Sequence, residues 1–135
     1  MIPHEKPQFN YSFDLDEQID IINAHKEHRG IPKANDENLI VATWNLTNFG
    51  LQKRESSHLR LMAEIIKSFD VVAIQEVADD VTQLYELLTF LSGNWKVMYT
   101  DIAGNYERLG YLYQENRVQP SAPASCLKSE GNMKP

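Results

Sequence analysis

The 135-residue sequence lacks several features that would place it quickly in a class of proteins. Cys126 is its only cysteine, which excludes an intrachain disulfide and therefore a small secreted scaffold held by such bonds. No apolar run approaches the roughly 20 residues that span a bilayer, and Met1–Pro7 lacks the apolar segment of a secretory signal. We therefore expect a soluble protein of the reducing cytoplasm, with no membrane partner.

Positive charge is also scarce, because the sequence has 13 Lys and Arg residues against 19 Asp and Glu residues. The formal net charge is −6. This balance argues against a broad basic surface that binds nucleic acid by releasing counterions. The charge balance does not exclude an enzyme that binds the phosphate of its substrate through a metal cation. With 42% apolar residues the chain can form a modest core, which predicts one globular domain at most.

The apolar periodicity predicts an α/β (α+β) fold. Asp14 and Glu17 form the pattern of a capping box for a short helix that Gly30 would end, and a polar linker follows over 31–36. Strands are predicted over 39–44, 71–76, 95–100 and 109–113, and further helices over about 57–69 and 81–91. The first two strands are expected to be parallel and the last two antiparallel.

Two of the predicted strands deliver polar side chains at their C-terminal ends. Glu76 closes the run Asp70–Glu76, and Asn45 follows an apolar run that ends at Trp44. The C-terminal ends of strands are where α/β sheets place their chemistry. Carboxylate and amide oxygens suit a hard divalent cation, so the pair indicates a metal site. Taken singly, Glu76 would more often be a solvated or helix-capping carboxylate, and Asn45 a turn residue.

Three segments, Ala42–Gly50, Val71–Val77 and Gly104–Tyr113, together resemble the N-terminal half of the endonuclease/exonuclease/phosphatase superfamily, which includes deoxyribonuclease I. The likeness is closest to bacterial members with a short N-terminal extension, and it covers about residues 1–121. It implies part of a four-layer α/β/β/α sandwich with mixed sheets, whose second half is missing here. Residues 1–36 would be the extension with its short helix, 37–118 the half domain, and 119–135 a disordered tail.

The resemblance also implies a reaction, the hydrolysis of a phosphate ester such as DNA by an activated water. Glu76 would bind catalytic Mg²⁺ or Mn²⁺, Asn45 would lie beside it at the metal and the scissile phosphate, and Glu107 would orient the catalytic histidine. Without that context, Glu107 and Arg108 would by default form an exposed ion pair of small energetic worth.

The catalytic histidine and the Gly-Asp-x-Asn motif of the family's second half are absent, because no histidine follows Tyr113 and Asp101 is the last aspartate. Metal binding is therefore expected to be weak, and the chain inactive alone. The abrupt polar composition after Ser121 suggests a frameshift or an early stop. Two hypotheses stay open: a truncated metal-dependent phosphoesterase, and a non-catalytic fragment or binding module. Half of a sandwich would also expose an apolar sheet face that promotes self-association.

Overall fold

The structure, a computed structural model, describes residues 11–121. Most of the predicted tail over 119–135 lies outside these residues. The fold is mixed α/β, as predicted. Its elements in chain order are α1 Leu15–His25, β1 Val41–Phe49, α2 Ser56–Ile66, β2 Val71–Val77, α3 Thr82–Thr89, β3 Trp95–Tyr99 and β4 Arg108–Gln114. Among the described helices, none is long and apolar enough to cross a membrane.

Helix α1 begins where the sequence indicates, but it ends at His25, before the predicted end at Gly30. The Asp14 carboxylate accepts a hydrogen bond of 2.9 Å from the Glu17 N–H. Beyond the end of α1 the chain continues in turns to Gly30, whose φ is +67°. There the Gly30 and Ile31 N–H groups donate to the carbonyls of Glu27 and Lys26, at 3.1 and 3.2 Å. This is the Schellman pattern of hydrogen bonds, which favours glycine at the left-handed residue.

The four strands form one mixed sheet in the order β1-β2-β4-β3. β1 and β2 are parallel, and β4 lies antiparallel to both β2 and β3, so the predicted strand directions are confirmed. The predicted end of β1 at Trp44 is wrong, whereas β2 ends only one residue beyond its predicted end at Glu76. β1 continues through Asn45 to Phe49, and β2 continues through Glu76 to Val77, because pairing resumes between Phe49 and Val77 after an irregular stretch.

The core lies between one face of the sheet and helices α2 and α3. Its buried side chains come from β1, α2, β2, α3, the segment before β3, β3 and β4, and they are Leu46, Phe49, Leu59, Met62, Ala63, Ile66, Val72, Ile74, Val77, Leu84, Leu87, Leu91, Trp95 and Leu112. In the helix predicted over about 57–69, the apolar residues Leu59, Met62 and Ile66 are buried, and Phe69 is only partly buried. Helix α1 contacts α2 from outside and buries none of its own residues fully.

The opposite face of the sheet has no covering layer among residues 11–121. Val41, Thr43 and Asn45 on β1 are exposed there, Val41 by 61%. The strand register adds further side chains to the same face, namely Val71, Ala73, Lys96, Met98, Tyr111 and Tyr113. This largely apolar surface, here called the open sheet face, leaves the described fold with helices on one side of a single sheet.

Candidate functional site

The polar residues that end the apolar runs of β1 and β2 meet each other. Asn45 pairs with Gln75 across the parallel strands, which brings its side chain to the neighbouring Glu76. The Asn45 Nδ2 donates to Glu76 Oε1 at 2.6 Å, and the Asn48 N–H donates to Glu76 Oε2 at 3.1 Å. Both oxygens of the carboxylate are therefore held by donors, and charge-assisted hydrogen bonds of this kind fix its orientation.

The backbone around this carboxylate is strained. Thr47, Asn48 and Glu76 have positive φ values of 36°, 51° and 59°. Such conformations cost about 1–3 kcal/mol each in residues other than glycine and collect at functional sites. The register between β1 and β2 is irregular between Asn45 and Phe49, where the bulge turns the Asn48 N–H toward the carboxylate. The Asn45 Oδ1 supports the turn by accepting from the Thr47 N–H at 2.8 Å.

Arg54 holds this loop in place. Its guanidinium donates to the carbonyl oxygens of Leu46 and of Thr47, the latter at 3.2 Å. Its main chain is bonded in both directions to the buried Gln83 side chain, at 3.2 Å through the N–H and 2.7 Å through the carbonyl. Burial lowers the pKa of the Arg54 guanidinium below its ordinary value. The arrangement ties the strained turn to the start of α3.

Gly50 makes the close approach of this loop to the end of β2 feasible. Its φ is +102°, and a Cβ at this position would overlap the carbonyl oxygen of Asp80. We expect Gly50→Ala to lower the free energy of unfolding by about 2–4 kcal/mol, through backbone strain and overpacking. Urea denaturation measures this quantity. Gly93→Ala is the matched control, because a Cβ there meets nothing within 4 Å. An equal loss of unfolding free energy in both variants would contradict the conclusion that the close approach at Gly50 requires glycine.

A cleft of about 510 Å³ joins the three sequence segments that carry the resemblance. It opens beside the Asn45 and Glu76 pair and is also lined by Glu107, which lies half-buried just before β4. The carboxylate of Glu107 has no hydrogen-bond partner within residues 11–121. The other lining residues are Gln75, Thr100, Ala103, Gly104, Asn105, Arg108 and Leu109.

Arg108 contributes the positive charge of the cleft lining, and no functional role was predicted for it from the sequence. Its side chain is 12% exposed and donates to Asp79 Oδ1 at 2.6 Å, so the default interpretation as an ion pair with Glu107 is wrong. The guanidinium lies 5.1 Å from the centre of the Tyr99 ring, and its Nε is buried without a partner in the described chain. The sequence signal that could have indicated a role for Arg108 is its position directly after Glu107 in the third segment of the resemblance.

The donor set of the cleft fits a weakly held hard cation. Glu76 offers a carboxylate, and the Oδ1 of Asn45 already accepts the Thr47 N–H, so Asn45 acts here mainly by positioning Glu76. No three His, Cys, Asp or Glu side chains of residues 11–121 form a group suited to a metal ion. His25 and His28 are both exposed, and their ring centres lie 6.3 Å apart.

None of the three described histidines lines the cleft. His58 lies against the rings of Tyr11 and Phe13, at 5.3 and 5.2 Å between ring centres. His4, the fourth histidine of the sequence, lies outside the described residues.

Comparison with known proteins adds no family assignment. No model of a known protein family matches the chain, and a search of curated proteins finds no match either.

Proposed function

We propose that this chain carries the metal-binding half of a phosphoesterase site, in a protein whose complete form hydrolyses phosphodiesters, DNA among the candidates. The observation that supports the proposal is that Asn45, Glu76 and Glu107 come from three separate segments and line one cleft. Arrays of carboxylate, amide and guanidinium groups in a cleft at a sheet edge are typical of sites that handle phosphate through a cation. The four-layer sandwich belongs to the same proposal.

The residues would divide the work as follows. Glu76, oriented by the Asn45 amide and the Asn48 N–H, would be the ligand of Mg²⁺ or Mn²⁺. The bound cation would neutralise charge on the phosphoryl oxygens. The Asn45 amide would also contact the scissile phosphate, and Glu107 would accept a hydrogen bond from a histidine and orient it. Arg108, fixed by Asp79, would add positive charge at the cleft wall.

The chain alone is proposed to be inactive, since no histidine of the described residues lines the cleft to act as general base. The same observation favours the second candidate, a non-catalytic binding module that retains the cleft. The two differ in whether added histidine-bearing sequence yields turnover.

Manganese binding tests the metal site directly. Titration followed by electron paramagnetic resonance of free Mn²⁺ should detect one weak site, of roughly millimolar affinity, because a single carboxylate holds the ion. Glu76→Gln should abolish it by removing the ligand charge. Glu37→Gln removes an exposed carboxylate elsewhere and should change nothing. An unchanged isotherm in Glu76→Gln would remove Glu76 from the metal.

The open sheet face is proposed to bind a second copy of the chain. The face is largely apolar, and Lys96 at its edge is the charged residue among those that define it, so no acidic groups meet where two copies pair. Sedimentation velocity should show association that Val41→Lys weakens by about tenfold. Leu51→Lys is the matched control, since Leu51 is similarly exposed, by 66%, in the loop after β1. A stable monomer at high concentration would contradict the proposal.

A further inference from the structure

A second cavity, of about 490 Å³, lies between α1 and the C-terminal part of α2. Here called the helix cavity, it shares no lining residue with the cleft described above. It is lined by Ile21, Ile22, His25, Lys26, Arg29, Ile31, Ile65 and Ser68. Small-molecule sites have this size, a mainly apolar wall and a few polar groups. Four isoleucines form the apolar wall, and Ile21 remains 44% exposed.

The charged groups at this cavity are of one sign. Lys26 and Arg29 line it without any acidic residue, although acidic residues outnumber basic ones in the chain. Neither of the two forms an ion pair within residues 11–121. The nearby Lys33 and Lys67 differ in this respect, because they pair with Glu27 and Glu64. Of these four neighbouring cations, the two without a carboxylate partner in the described chain are the ones that line the cavity.

Ser68 adds an unused hydrogen-bonding group to the same wall. Its Oγ is buried and has no hydrogen-bond partner in the described chain. A buried hydroxyl without a partner is unfavourable by about 1–3 kcal/mol, and most such groups in proteins are satisfied. A ligand oxygen placed near Ser68 and the two cations would remove this penalty.

We propose that the helix cavity binds a single-chain amphipathic anion, with a carboxylate or phosphate head and an unbranched aliphatic tail. The head would lie by Lys26, Arg29 and the Ser68 hydroxyl, and the tail would cover Ile21, Ile31 and Ile65. Charge-assisted hydrogen bonds would orient the head, and removal of apolar surface from water would hold the tail. Because α1 buries none of its own residues fully, the ligand would also fasten α1 to α2.

Titration of the full chain with monomeric decanoate, below its micelle concentration, tests this proposal. Nuclear magnetic resonance should show saturable shifts of the Ile21, Ile31 and Ile65 methyl groups. The double variant Lys26→Gln with Arg29→Gln should raise the Kd by about tenfold or more. Lys33→Gln with Lys67→Gln removes the same charge from the neighbouring paired lysines and should leave the Kd unchanged. Circular dichroism should show both double variants folded.

Several results would overturn the proposal. Absence of saturable shifts would do so, as would equal weakening in the two double variants, which would indicate a general charge effect. Equally tight binding of decanol would exclude recognition of the anionic head. Shifts confined to the open sheet face would place the ligand elsewhere. Binding to anionic phospholipid vesicles without binding of free decanoate would indicate a membrane surface as the partner instead.

Discussion

Glu76→Ala is expected to lower phosphodiester hydrolysis by several orders of magnitude in a form of this protein extended by a second half that supplies the histidine and the Gly-Asp-x-Asn motif. The substitution removes the carboxylate that Asn45 and the Asn48 N–H hold in the cleft. The ligand that positions the cation against the phosphate is then lost. The measurement is kcat/KM for a chromogenic phosphodiester with Mg²⁺, supported by nicking of plasmid DNA.

Glu107→Gln in the same extended protein should lower the rate less, by about 10 to 100-fold, as losses of groups that orient a catalytic residue do. Glu37→Gln should leave the rate unchanged and serves as the control for loss of one charge. The 135-residue chain alone should show no magnesium-dependent cleavage. Robust turnover by that chain, surviving Glu76→Ala, would mean that the site lies elsewhere.

Much of the fold was predictable because its signals are local. The spacing of Leu59, Met62 and Ile66 at helical intervals sets the buried face of α2, and all three are buried. Asp14 marks the start of α1 through a side-chain hydrogen bond, and Gly30 closes the turns that follow α1 through backbone hydrogen bonds over a few residues. Such signals depend little on the remainder of the chain.

The course of the chain after Asn45 was not predictable, since it depends on distant partners. A β-branched residue such as Thr47 rarely adopts positive φ, so its sequence favours an ordinary turn or the end of a strand. Arg54 and Gln83, 29 residues apart, hold the loop that contains it. Arg108 likewise reaches Asp79 rather than its neighbour Glu107. The periodicity of apolar residues is a local pattern, so it cannot predict hydrogen bonds between residues this far apart in the sequence.

The helix cavity was hidden for a related reason. The sequence indicates α1 through its capping pattern, but it does not give the position of α1 against α2. Whether Lys26 and Arg29 find carboxylates depends on that placement. The charged residues of one helix face look alike in sequence whether or not they are paired.

A cluster around Asp70 stabilises the end of the sheet opposite the cleft, where β1 and β2 begin and β4 ends. Asp70 is 3% exposed, its Oδ2 accepts the Ile40 N–H at 2.8 Å, and its Oδ1 accepts from Arg117 Nε at 3.1 Å. Arg117 also donates to the carbonyls of Asn35 and Asn38, at 2.6 and 2.8 Å. The cluster thus joins the linker before β1 to the chain after β4.

Asp70→Ala should lower the free energy of unfolding by about 3–5 kcal/mol, because a buried N–H and a largely buried guanidinium lose their acceptor together. Asp36→Ala is the matched control: its fully exposed carboxylate lies 3.4 Å from the same Arg117, and its loss should cost less than about 1 kcal/mol. Urea denaturation gives both values, and similar values would show that burial of Asp70 does not matter.

Manganese titration of folded Asp70→Ala should match that of the unsubstituted chain, since Glu76 lies at the other end of β2. Loss of manganese binding in a folded Asp70→Ala variant would show instead that the two ends of the sheet are coupled.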